Sequence, residues 1–218
     1  NVLTNSKMYQ AFVNSVIITV CVVAVTLFIS ILAGYGLSRY KFKGHGGLKI
    51  ALLFGQMIPS VVIIIPLYFL VAKTGLLDTH FSLIMADMAL TIPMGVIMLS
   101  SFFETVPKEL EEAAKIDGCS TWGMLWRIIF PIAAPGVFTT AIMSFIAAWN
   151  EYLLSCTLNI DEKIQTVPVR LSYLKDQFTV FWSQIAAATV VVVIPTLLIV
   201  LLFQKQIVAG ISNGAVKE

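Results

Sequence analysis

Five stretches of this chain are nearly free of charge, and their lengths dictate the class of fold. Met8 to Ser38, Ile50 to Ala72, Thr79 to Phe103, Ile128 to Asn150 and Gln177 to Gln204 each run at least 23 residues, with Asp87 their one charged side chain. A helix needs about 20 apolar residues to cross the hydrocarbon core of a bilayer. None of the five shows the short alternation of a membrane β-barrel strand. The expected fold is therefore all-α, a polytopic helical membrane protein with spans near 12–38, 50–72, 82–103, 132–155 and 184–204. Charged residues make up 12% of the chain, about half the share in a soluble domain. A net charge of +2 argues against a nucleic-acid binder. The three cysteines and two histidines, His45 and His80, fall at no metal-ligand spacing, so no metal site is expected.

Five spans put the two ends of the chain on opposite sides. One set of loops and the tail carries Arg39, Lys41, Lys43, Lys49, Lys108, Lys115, Arg127, Lys205 and Lys217, against Lys7, Lys73, Lys163, Arg170 and Lys175 on the other side. The richer side is expected to be cytoplasmic. Because the chain starts at Asn1 with no charged leader before its first apolar run, a preceding segment is expected. Pro59, Pro66, Pro93 and Pro195 invite kinks within spans. Gly34, Gly36 and Ser38 offer a surface for close helix contact.

One loop is not generic. Glu104 to Pro131 reads ETVPKELEEAAKIDGCSTWGMLWRIIFP. Thr105 is placed to cap a short helix with Pro107 in its first turn and Glu109, Glu111 and Glu112 near its positive end. Gly118, after Asp117, suits the left-handed position that stops it. Ser120 or Thr121 then caps a second short helix, expected to end at Pro131. Small Ala113 and Ala114 would let another surface approach the backbone. The residues alone leave two readings open, a docking knob for a cytoplasmic partner or an amphipathic loop lying on the membrane.

The loop resembles the EAA loop of ABC-importer permeases: E-A-A, three residues, G, nine residues, I, any residue, L-P. Here Glu112, Ala113 and Ala114 are followed by Gly118, then Ile128 and Pro131 at the family spacing, with Phe130 in place of Leu. NSVIITV from Asn14, AGYGLSRYKFKG from Ala33, WNEYLL from Trp149 and the ending GAVKE from Gly214 are similar to the second permease of maltose-type carbohydrate importers. The resemblance implies a type I importer transmembrane domain over 1–218, lacking the family's usual first span, in a bacterial-type inner membrane. It implies a second permease, two cytoplasmic ATPase subunits that carry ATP and Mg, and an extracytoplasmic sugar-binding protein. Glu112, Ala113, Ala114, Asp117, Gly118, Ile128 and Pro131 would form the coupling element. The tail would reach the ATPases.

The chain has no G-x-x-x-x-G-K loop, so no nucleotide site and no enzymatic activity of its own are expected. Trp149, Asn150, Glu151 and Tyr152 offer aromatic faces and hydrogen bonds for a sugar, and Asp87 is an intramembrane carboxylate. The same carboxylates could bridge helices or face the partner permease. Tyr173, Phe178, Phe181 and Trp182 read as an interfacial aromatic belt. The alternatives are a stand-alone secondary transporter or channel, a permease for a non-sugar solute, or a non-transporting scaffold. Against the first, there is no inverted repeat.

Overall fold

The computed structural model describes residues 6–174 and 182–215, and among these the regular structure is entirely helical. The helices are α1 (Ser6–Arg39), α2 (His45–Met57), α3 (Ser60–Lys73), α4 (His80–Thr105), α5 (Lys108–Ile116) and α6 (Thr121–Met124). A π-helical turn at Leu125–Ile129 follows, then α7 (Phe130–Trp149), α8 (Leu153–Leu158), α9 (Val167–Ser172) and α10 (Trp182–Ala215). Among the described residues four helical runs are long and apolar enough to cross a membrane: Lys7–Arg39, His80–Thr105, Thr121–Trp149 and Ile185–Gln204.

The span expected at 50–72 is instead two helices, α2 and α3, meeting at a 95° bend. The cause is local. Pro59 has no N–H to continue α2, and the residue before a proline is driven extended; Ile58 sits at φ −75°, ψ 119°. Pro66, Pro93 and Pro195 lie inside α3, α4 and α10. The stretch expected at 132–155 breaks after Trp149, where Asn150 Nδ2 donates to Ile146 O at 2.8 Å and the chain pauses before α8. The last apolar span runs Ile185–Gln204; α10 kinks near its end at Phe203, φ −114°, ψ 15°, and a second helical stretch continues to Ala215. Val216–Glu218, the end of the GAVKE string, lie outside the described residues, as do Phe178 and Phe181 of the aromatic belt. Tyr173 and Trp182 are exposed.

Helix α1 is the hub, packed along α4 more than on any other element and also against α7. Gly34 makes that contact close: a Cβ there would lie 3.0 Å from the backbone N of Ser100. Gly36 faces open space and plays no such part. Thr26 and Thr91 hydroxyls hydrogen-bond across the same interface at 2.8 Å.

The bundle has two distinct ends. At one, the end of α1 meets α5, and Lys49 pairs with Glu104 at 2.7 Å. At the other, Lys7 pairs with Glu162 at 2.6 Å, and Asp78 N–H donates to Leu158 O at 3.0 Å. Helix α10 runs antiparallel to α7, since Trp149 reaches Val192 while Phe138 stacks on Phe203 at 5.9 Å. Loops 40–44 and 106–120 and the final turns of α10 therefore share one end, which is the basic end of the sequence.

Candidate functional site

At the basic end, α5 is built by backbone chemistry more than by side-chain caps. Pro107 occupies its N-cap position at φ −57°, ψ 134°, with no side-chain cap. Thr105 does not cap α5: its hydroxyl donates back to Phe102 O at 2.7 Å, closing α4. The two residues between α4 and α5 leave no room for a capping loop. Glu109 and Glu111 lie in the first turn and complement the helix dipole. Gly118 adopts φ +77°, and Cys119 N–H donates to Ala114 O at 2.9 Å, the six-to-one bond that closes a helix through a left-handed glycine. Ser120 Oγ then accepts from Gly123 N–H at 3.2 Å and starts α6, as its spacing implies.

Pro131 does not end the second helix. The run from Thr121 passes unbroken into α7, with Pro131 at the start of α7. A proline inside a helix clashes with the carbonyl four residues earlier and leaves it without a donor. The π turn at Leu125–Ile129, with Phe130 N–H donating to Leu125 O, widens the helix in the turn before the ring. The helix–glycine–helix is therefore continuous with a membrane span on its C-terminal side.

This element has two faces. Inward, Ala114, Met124, Leu125 and Ile129 are buried with Tyr35, Phe103 and Val106 in one apolar cluster. Outward, Glu112, Ala113, Asp117 and Gly118 are exposed, Ile116 is 86% exposed and Trp122 60%. Ile128 is half-buried and Pro131 exposed. Ala113 and Ala114 thus divide the labour: the first faces out, the second anchors the helix. Sequence reasoning missed the charge at the heart of the element. Glu111, next to the motif glutamate, is buried and paired with Arg39 of α1. Only the extra carboxylate before Glu112 and an arginine ending the first span hinted at it.

At the opposite end the expected sugar-contacting residues are only partly together. Trp149 is 2% exposed, stacks on Phe145 at 5.6 Å and donates from Nε1 to Val192 O at 3.1 Å, so it is a core residue joining α7 to α10. Glu151 accepts from Leu154 and Ser155 N–H at 2.8 and 2.9 Å and ties down the start of α8. Asn150 and Tyr152 are exposed. Asp87 is buried in α4, and neither carboxylate oxygen has a hydrogen-bond partner. Among the described residues no group of three or more His, Cys, Asp or Glu could hold a metal ion.

A helical membrane bundle that presents a short helix–glycine–helix at its basic end is the architecture of an importer's membrane-spanning subunit. Residues 26–213 match the family model described as "Binding-protein-dependent transport system inner membrane component", and the chain belongs to that family, as a multi-pass inner-membrane protein. It is 37% identical over 98% of its length, and 71% of the relative's, to a probable ABC transporter permease of Bacillus subtilis. It is 38% identical to a trehalose/maltose transport system permease of Thermococcus litoralis, over 94% of this chain and 74% of that one. A sulfoquinovosyl glycerol transport system permease of Agrobacterium fabrum is 35% identical, over 98% and 75% respectively. The fold matches a bacterial ABC transporter for alginate import with a TM-score of 0.80 at 23% identity, covering 94% of this chain and 76% of that one. It also matches an inward-facing methionine ABC transporter with a TM-score of 0.65 at 14% identity, covering 93% and 94%.

Proposed function

We propose that this chain is one of two membrane-spanning subunits of an ATP-driven importer, and that its cargo is a sugar or oligosaccharide. The docking element carries the reading. Its outward face, with Glu112, Ala113, Ile116 and Asp117, is exposed at the basic end, while its inward face is buried against α1 and α4. Such a surface suits a groove on a cytoplasmic ATPase subunit. ATP and Mg would bind on two such subunits, and this chain would hydrolyse nothing itself. A second permease completes the pathway, and an extracytoplasmic binding protein delivers the sugar. The basic-residue bias supports a cytoplasmic position for the docking element and the end of α10.

Permeases named for trehalose/maltose, diacetylchitobiose and sulfoquinovosyl glycerol transport all align over nearly the whole chain, which supports a glycosidic cargo. Exposed Asn150 and Tyr152 at the outer end of α7 are the residues here best placed to touch it. Trp149 and Glu151 support that surface through the core and through α8. Nucleotide and cargo then bias one two-state element. By reciprocity the loaded binding protein and ATP favour the same state. The test is purification of the complex followed by proteoliposome uptake with a panel of labelled sugars, with and without internal ATP. ATP-dependent uptake of a sugar is expected. A purified chain that transports alone on an ion gradient would sink the reading.

A further inference from the structure

One guanidinium holds the docking helix from two sides. Arg39 closes α1; its Nε donates to Glu111 Oε1 and its Nη2 donates to Val106 O at 2.8 Å. Glu111 lies in the first turn of α5, and Val106 sits in the two-residue elbow between α4 and α5. One side chain of the first span therefore sets the angle between α4 and α5. Tyr35, one turn earlier on α1, donates to Glu111 Oε2 at 3.2 Å and packs edge-on against Phe103 of α4, with ring centroids 5.9 Å apart. Both carboxylate oxygens of Glu111 are thus held by α1. The Arg39 and Glu111 side chains are 6% and 8% exposed.

The elbow by itself is weak. Val106 and Pro107 are both extended, at ψ 123° and 134°, and α5 has nine residues. A helix that short is not stable alone in water. Its position is set by what grips it, and here the grip is a pair of side chains buried on its inward face.

We infer that Arg39, Glu111 and Tyr35 form a latch that makes α1 move with α5, so that force on the docking helix reaches the first span directly and not only through the elbow. These are positioning residues: they lie on the inward side of α5, away from exposed Glu112, Ala113 and Ile116. Because α1 is the hub of the bundle, the latch couples docking to the span that contacts α4, α7 and α9.

The inference rests on the importer reading, and one experiment separates the two. The complex, reconstituted with its ATPase subunits, second permease and binding protein, is assayed for sugar taken up per ATP hydrolysed. Wild type without ATP-driven uptake would refute the importer reading and leave the latch geometry untouched. Given wild-type uptake, Arg39→Met alone and Glu111→Leu alone are expected to lower the ratio about fivefold or more while the ATPase still co-purifies. The double variant Arg39→Met/Glu111→Leu, an apolar pair in place of the charges, is expected to return to within about twofold of wild type. A wild-type ratio in both single variants would overturn the latch. So would a double variant as uncoupled as the singles, since position alone would then not suffice. If the singles fail to assemble, the double variant and Tyr35→Phe decide. The latch requires a measurable fall in the ratio for Tyr35→Phe and near recovery in the double variant, and the reverse pattern rejects it.

Discussion

The two ends of the bundle each join a basic side chain of α1 to a glutamate far along the chain, and they do so in opposite ways. At the docking end Arg39 and Glu111 are almost fully buried, with Tyr35 Oη donating to Glu111 and Val106 O accepting from Arg39. At the outer end Lys7 and Glu162 are more than half exposed, with Arg170 a second partner at 3.4 Å. The chemistry is the same but the solvent is not. A buried pair with one partner removed leaves an uncompensated charge, at about 3–5 kcal/mol, whereas an exposed pair is screened by water and salt. One end is thereby held in a single arrangement, and the other is open to water and salt.

The strongest way to break this comparison is to remove one charge from each end. Glu111→Leu, which strands Arg39, is expected to destabilise the protein by about 3–5 kcal/mol. Lys7→Met is expected to lower stability only slightly. Thermal unfolding of the detergent-purified complex reads both. Equal shifts would show that burial does not set the difference.

A second perturbation separates packing from charge. Gly34→Leu places a side chain where even a Cβ lies 3.0 Å from the Ser100 backbone and 3.1 Å from Leu99 Cβ. Overpacking of this kind costs about 1–3 kcal/mol, and it should loosen α1 from α4 and lower the membrane-inserted level. Gly36→Leu, facing open space, is the control and should be silent. Similar membrane levels for the two variants would mean that the α1–α4 contact is not as close as described.

Gly118→Val tests the docking end without touching its core. Nothing lies within 4 Å of the added Cβ, so the cost is conformational alone, about 1–2 kcal/mol for a β-branched residue at φ +77°. Insertion should be normal, with uptake or stimulated ATP hydrolysis lost because the exposed face is misaimed. Full transport with normal stimulation would show that the turn at Gly118 does not aim the element.

How much of this was legible in the sequence follows from range. The helix–glycine–helix could be read because its signals are local: Gly118 needs a left-handed turn, and Ser120 caps three residues ahead. The bend at Pro59 was half legible, since a proline in a span announces a kink but not whether the helix survives it, as it does at Pro66, Pro93 and Pro195. Thr105 was misjudged because a threonine between two helices can serve either, and its own carbonyl neighbour at Phe102 won. Pro131 was misjudged because a π turn, which has no clear sequence signature, lets a helix run into a proline. The Arg39–Glu111 pair joins residues 72 apart; no spacing rule reaches that far. Trp149 was read for its aromatic face, and only the backbone carbonyl of Val192, 43 residues on, shows that its indole is spent on packing.

Glu151 gives a smaller test within the outer region. Its two oxygens accept from two backbone N–H groups at the start of α8. Glu151→Gln keeps one acceptor, so a loss near 1 kcal/mol is expected, with most sugar uptake retained because an ATP-driven importer needs no proton relay here. Uptake that falls to background, with the complex intact, would make the carboxylate part of transport itself.

The smallest expected effect lies at Glu162 and concerns pH. The Lys7 hydrogen bond, with the Arg170 charge next, holds this carboxyl below the ordinary glutamate range. A depressed folded-state value means that the pair contributes at neutral pH and is lost as the pH falls through that lowered value. Wild type should therefore lose slightly more thermal stability on acidification than Glu162→Gln, which has no charge to lose. Salt should shrink the gap, because both partners stand in water. The contrast between the ends makes a further demand. Salt should leave the Arg39–Glu111 end nearly untouched, so the penalty of Glu111→Leu, measured at low and high ionic strength, should stay constant while the Glu162 gap closes. A Glu111→Leu penalty that collapses in salt would mean that the docking end is as open to solvent as the outer one.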